Sequence, residues 1–239
     1  MGDKDTPWIP ALFGIAASIF AFYWTTILAP HVYRILRPSI VEYPWDECSS
    51  NESDELDETV VFAASYNPPH HGHIRMLEYL SKKYKRVIAV VGFNPSKKYL
   101  VSPEDRANLL REMLKSRTQN VTVEVVEGYI WRYAKRIGST LFFRGIRSWE
   151  KDGRDERYLQ ILNTWGPLLY GPLTKPIPTI YIEGDPRYNH VSSTLIRSIC
   201  DRSSDSNNVE QTKNTEALLS ELVPLEIAGK VAKLYGAKR

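Results

Sequence analysis

The sequence predicts an α/β fold, a mostly parallel sheet covered by helices, preceded by one helix long and apolar enough to span a bilayer. Three observations carry that reading. Short β-branched runs alternate with helical runs from residue 59 onward, which is the pattern of βαβ units. The runs are continuously apolar, as in "RVIAVVG", and so read as strands buried on both faces. A stretch without any charged residue, Trp8 to Ala29, stands near the amino terminus.

That first stretch, "WIPALFGIAASIFAFYWTTILA", has the roughly 20 apolar residues that a bilayer core requires. Trp8 at one end and Tyr23 and Trp24 toward the other suit the two interfaces, and no small-residue cleavage site follows a short apolar core. Residues 1–30 therefore read as a membrane anchor. Lys4 before it and Arg34 and Arg37 after it place the large domain on the cytosolic or matrix side. Residues 31–58 follow as a polar, acidic linker ending in "SSNESDELDE", a composition too poor in apolar residues to form a core.

From residue 59 the strand and helix runs alternate in order. "TVVFAA" precedes "GHIRMLEYLSKKY", "RVIAVVG" precedes "SPEDRANLLREMLKS", "VTVEVV" precedes "YIWRYAKRI", and "TLFF" precedes "ERYLQILNTW". "PTIYI", residues 178–182, is a fifth strand, and "DRSSDSNNVEQTKN", residues 201–214, reads as a polar surface loop before the last helix. Residues 59–239 thus make one domain. The formal charge of +3 is too small and too evenly spread to argue for nucleic acid as a partner. Cys48 and Cys200 are the only cysteines, without CxxC spacing, so neither a disulfide framework nor a protein-held metal site is expected.

In open parallel sheets, ligands bind beyond the carboxyl ends of the strands, and the unusual residues of this chain gather there. "NPPHHGH", residues 67–73, holds three of the five histidines between the first strand and its helix. The two prolines stop the strand, Gly72 permits close backbone approach, and His73 stands in the first helical turn, where free N–H groups attract anions. His70 and His73 are three apart and can face one ligand. Lys97 and Lys98 follow the second strand, and Arg144 and Arg147 follow the fourth. A cluster of positive donors at strand ends is what a phosphate-bearing ligand needs, although Lys98 reads as a solvated surface charge.

"SYNPPHHGH", "FNPSKK", "FRGIR", "VSSTLIR" and "LVPLEIAGKV" occur in the order and at about the spacings of the bacterial-type phosphopantetheine adenylyltransferases. From about Thr59 to Tyr235 the chain resembles that family, a member of the HxGH, cytidylyltransferase-like superfamily. The resemblance implies a Rossmann-like nucleotidyltransferase fold, a homo-oligomer, and transfer of an adenylyl group from ATP, with Mg²⁺ on its phosphates, to 4'-phosphopantetheine, giving dephospho-coenzyme A and pyrophosphate. It assigns His73 as transition-state stabiliser, Lys97 and Arg144 to the transferring and acceptor phosphates, and Ser65 and Ile130 to the acceptor. Ser65, Tyr66, His70, Gly145, Ile146, Arg147, Ser192, Ser193 and Thr194 would join His73 along ATP. In-line displacement at the α-phosphorus needs positioning and charge stabilisation rather than a protein nucleophile, in keeping with the absence of a G-x-S-x-G elbow.

The departures leave alternatives. The family's "GTFDP" is "ASYNP" at residues 64–68, and its "SSS" is "SST" at 192–194, which keeps NMN adenylyl transfer as a second reading. The family's ATP-contacting glutamate falls near Glu156 or Tyr158 without a decision between them. A tethered nucleotide-binding module without turnover is the third reading. Against it, each basic residue that the chemistry needs is retained.

Overall fold

The computed structural model describes residues 8–36, 39–45, 56–92, 99–170, 176–203 and 209–236. Its centre is a six-stranded, wholly parallel sheet in the order β1-β6-β5-β2-β3-β4, with β1 at Ile40–Glu42, β2 at Leu56–Ala64, β3 at Tyr84–Gly92, β4 at Val121–Val126, β5 at Leu141–Ile146 and β6 at Thr179–Glu183. Helix α3 is His71–Lys83, α4 Pro103–Leu114, α5 Ile130–Arg136, α6 Trp149–Tyr170, α7 Ser193–Ser203, α8 Val209–Ser220 and α9 Leu225–Gly236.

The alternation along β2 shows why the sheet is covered on both sides. Val60 and Phe62 pack into a core with Leu77 and Leu80 of α3, Leu110 of α4 and Ile227 of α9, whereas Val61 and Ala63 pack into a second core with Trp131 and Ala134 of α5. A strand with both faces buried has no room for polar residues, and β2 has none between Val60 and Ala63. From β2 the chain steps outward to β3 and β4, then returns to the other side of β2 as β5 and continues to β6. The strand order reverses between β2 and β5, and a crevice opens at the carboxyl ends beside such a reversal.

Four boundaries differ from the sequence reading, the fourth at the amino-terminal helix. The segment 31–58, read as a linker, supplies β1, whose Ile40, Val41 and Glu42 pair with Ile180, Tyr181 and Ile182; three residues are too few for a period-2 signal, and main-chain pairing needs no particular side chain. Strand β2 also begins at Leu56, inside the acidic run. Within 201–214, read as a loop, α7 continues to Ser203 and α8 begins at Val209. Thr215 and Leu219, four apart and buried, dock α8 against the domain.

At the amino end, α1 (Trp8–Tyr23) runs through a π-helical turn (Trp24–Leu28) into α2 (Ala29–Leu36), so the helix continues past residue 30. Thr25 and Thr26 hydroxyls donate back to Ala21 and Phe22 carbonyls, a competition with the backbone ladder that accompanies the widened turn. Pro10–Leu28 is apolar and long enough to cross a membrane, and most of its large side chains are exposed, Phe13 at 72% and Phe20 at 64%, with Ile27 buried.

Candidate active site

The chain leaves β2 through a tight loop. Tyr66 takes a positive φ of 44°, a conformation that a bulky residue adopts only where its surroundings hold it. Its ring is fully buried, the hydroxyl donates to the Phe62 carbonyl at 3.2 Å, and the ring lies 4.9 Å from that of His73. The next peptide, Asn67–Pro68, is cis. Extended backbone at His70 then turns the chain into α3.

The two imidazoles meet at the start of α3, with ring centroids 3.9 Å apart. Gly72 leaves room for the His70 ring, since a β-carbon there would stand 3.1 Å from His70 Cε1, a tight contact. Burial pushes the His73 pKa down to about 4. His70 is also pushed well below the ordinary histidine value, by burial first and then by the proximity of His73 and His71. Both rings are therefore neutral near pH 7. Nδ1 of each is buried and finds no hydrogen-bond partner among the described residues. A bare lone pair is tolerated there better than an unpaired N–H, which favours the tautomer carrying its proton on Nε2.

Facing the histidines is the amino end of α7. Ser192 caps it, its hydroxyl accepting from Leu195 N–H at 3.1 Å. Ser193 donates to the Pro68 carbonyl at 2.7 Å, and Arg197 donates to the Asn67 carbonyl and to Thr194 Oγ1, binding α7 to the loop after β2. The end of β5 forms the third wall. Gly145 packs closely there: a β-carbon would come within 2.5 Å of Met76 Sδ, so that the flexible methionine end would have to move. Together these elements enclose a cavity of about 350 Å³ whose lining includes His70, His73, Gly145, Ile146, Arg147 and Ser192–Thr194.

Eight of the residues expected along a nucleotide are thus brought together. Tyr66 is not among them: its side chain lies in the core behind His73, because the positive φ turns it inward. Ser65 is exposed at the end of β2, its carbonyl held by the Arg106 guanidinium. Ile130 opens α5, and its Cδ1 would lie 3.5 Å from a β-carbon on Gly92 at the end of β3. Arg144, on β5, donates to the Ala63 carbonyl at 3.3 Å and forms a two-pronged pair with Glu156. Burial opposes its charge, but the hydrogen bonds and charge of Glu156 outweigh this and raise its pKa. Lys97 and Lys98 lie outside the described residues.

The structure also brings in residues that the sequence left unassigned. Of the two positions left open, Glu156 lines the cavity whereas Tyr158 is 66% exposed. Met76, Asp152, Gly184, Asp185, Tyr188, Asn189 and Val191 complete the lining. Asp185 is buried, and hydrogen bonds from Arg187 hold its carboxyl below the ordinary range. Each of the three carboxylates is paired with arginine: Asp152 with Arg147, Glu156 with Arg144, and Asp185 with Arg75 and Arg187. Among the described residues no group of three or more His, Cys, Asp or Glu converges as metal ligands do. With its three carboxylates paired to arginine, the site fits a divalent ion that arrives on phosphate oxygens.

Residues 61–199 match the family described as Cytidylyltransferase-like. The phosphopantetheine adenylyltransferase of Paenarthrobacter aurescens is 30% identical over 139 residues, 58% of this chain and 78% of the relative. That of Shouchella clausii is 26% identical over 175 residues, 73% of this chain and 96% of the relative. Among solved structures, Plasmodium falciparum nicotinic acid mononucleotide adenylyltransferase complexed with NaAD overlays with a TM-score of 0.49 and 12% identity, covering 75% of this chain and 96% of that one. The family match spans more than half of the chain, from β2 to α7, and takes in both the His70–His73 turn and the Ser192–Thr194 end that face each other across the cavity; the chain belongs to the cytidylyltransferase-like family and is a nucleotidyltransferase.

Proposed function

We propose that the protein transfers the adenylyl group of ATP to 4'-phosphopantetheine, releasing pyrophosphate and dephospho-coenzyme A, while tethered to a membrane by its amino-terminal helix. The observation that carries the reaction is the neutral His70–His73 pair set opposite the amino end of α7 around one cavity, at the point where the strand order reverses. A phosphate oxygen of the acceptor attacks the α-phosphorus of ATP. The bond from that phosphorus to the α,β-bridging oxygen breaks, and its electron pair leaves with pyrophosphate. Negative charge spreads over the non-bridging oxygens as this happens, and donors fixed in advance stabilise it.

In this arrangement His73 donates from its Nε2–H to the transferring phosphate. The Ser192, Ser193 and Thr194 end of α7 holds the β- and γ-phosphates through N–H groups and hydroxyls, with Arg147 beside them. Mg²⁺, bound to the nucleotide, would neutralise part of the phosphate charge. Arg144 takes the acceptor phosphate in place of Glu156, exchanging one two-oxygen partner for another. Ser65 and, by resemblance, Lys97 complete the acceptor side. Next to Ile130, an aromatic cavity of about 340 Å³ lined by Tyr129, Trp131, Tyr158, Ile161, Leu162 and Trp165 offers an apolar bed for the long pantetheine arm, which a compact nicotinamide riboside would not fill.

The test is pyrophosphate release by the full chain in detergent with ATP, Mg²⁺ and one acceptor at a time. Release with phosphopantetheine and not with NMN is the expected result. Release with NMN alone would move the protein to the second acceptor with the same mechanism, and ATP binding without release toward either would leave a tethered nucleotide-binding module.

A further inference from the structure

Trp45 lies outside the residues matched to the family, in a segment that the sequence reads as linker, yet it ties two walls of the cavity together. Its indole N–H donates to the carbonyl of Glu183, the last residue of β6, at 2.6 Å. The face of the same ring carries the Arg75 guanidinium, 5.6 Å from the centroid, and the ring meets Tyr79 edge-on at 6.1 Å. Arg75 and Tyr79 belong to α3, and Arg75 follows His73 by two residues. Glu42, at the end of β1, adds to the same attachment by accepting from the Tyr79 hydroxyl at 2.9 Å and from Lys83 Nζ at 3.2 Å.

What lies on the far side of these contacts is the cavity. Arg75 Nε donates to Asp185 Oδ2 at 3.3 Å, and Asp185 and its neighbour Gly184 line the cavity opposite His70 and Gly72. The two Asp185 oxygens are otherwise filled by the Arg187 N–H and guanidinium, so its carboxylate is a fixed post. His71 is stacked on Tyr188 at 5.5 Å, across the same gap. The separation of α3 from the β6–α7 loop is therefore held by these two direct contacts and braced from outside by one indole, through a hydrogen bond on one side and a cation–π contact on the other.

We propose that Trp45 is a positioning residue for the nucleotide, fixing the distance between the His70–His73 turn and the Gly184–Asp185 loop, so that the segment following the amino-terminal helix tunes nucleotide binding. This rests on the assignment of the cavity to ATP made above. Displacing one wall by about an ångström is enough to lower the efficiency of a prealigned site by one to two orders of magnitude. The effect should fall on ATP. Of the acceptor's expected contacts, Ser65 follows β2 and Ile130 opens α5 beside the end of β3, away from the tie, and Arg144 on β5 is held by Glu156 of α6 rather than by α3.

The experiment measures KM for ATP, KM for the acceptor and kcat in the full chain, for wild type, Trp45→Ala and Trp45→Phe. Trp45→Ala is expected to raise KM for ATP about tenfold while KM for the acceptor stays within about twofold. Trp45→Phe, which keeps a ring against Arg75 and loses the bond to Glu183, should fall between. If Trp45→Phe leaves KM for ATP at the wild-type value, or if both KM values move together in proportion to a fall in Tm, the inference is overturned and Trp45 is a structural tie only. Wild type that neither binds nor turns over ATP would instead overturn the assignment of the cavity itself.

Discussion

His73 concentrates the chemistry of the site in one neutral ring. Replacing it with alanine removes a donor that acts on charge developing in the transition state, so turnover should fall by about 10²-fold or more with KM for ATP changed far less; steady-state pyrophosphate release checks this, and an unchanged kcat would show the residue to be misassigned. The same burial makes stability pH-dependent. With folded-state pKa values of about 4 for His73 and well below the usual value for His70, the unfolded chain binds more protons than the folded one from about pH 6.5 downward. Stability contributed by these rings is present above pH 6.5 and lost as pH falls toward 4. Tm measured across that window should decline, and the decline should be shallower in His70→Asn, provided the variant folds. These histidines were legible because their spacing and the turn-forming prolines sit in one short run. Asp185 was not, because nothing local distinguishes "GDPRY" until β6 lands beside β5 and carries it to the cavity.

The pairing of Arg144 on β5 with Glu156 on α6 ties two elements together through a partly buried ion pair, with side-chain exposures of 19% and 13%. Removing one partner leaves the other charged and desolvated. Glu156→Ala should therefore destabilise the fold by about 3 kcal/mol, measured by denaturant unfolding in detergent, whereas Glu156→Gln, which still accepts a hydrogen bond, should cost less. The reading of elements from sequence succeeded wherever a run was apolar enough to declare itself. "TVVFAA", "RVIAVVG" and "VTVEVV" lie in parallel strands, as does "PTIYI" from Thr179 onward, with "TLFF" providing the start of β5. It failed at β1 and α8, whose places come from pairing to β6 and from packing between α7 and α9. Neither carries a pattern dense enough to separate it from its polar neighbours.

On the scale of the chain, the amino-terminal helix is an apolar rod joined to a catalytic domain. Membrane attachment through Pro10–Leu28 predicts that the full chain floats with lipid vesicles on a density gradient. Phe13→Asp with Ile19→Asp, each adding about 2.5–3.5 kcal/mol to insertion at the helix centre, should leave it at the bottom of the gradient. The proposed attachment would also set which way the site faces. Pro30 and Tyr33 of α2 share a cavity with Leu141 and Thr179, the first residues of β5 and β6. Since all the strands are parallel, the nucleotide cavity is at the opposite end, about 20 Å away over the length of β5 at ~3.3 Å per residue. The field of charged headgroups decays over about 8 Å at physiological ionic strength. An anionic nucleotide approaching the mouth would thus feel little repulsion from anionic lipid, and KM for ATP should be the same on neutral and on phosphatidylserine-rich vesicles.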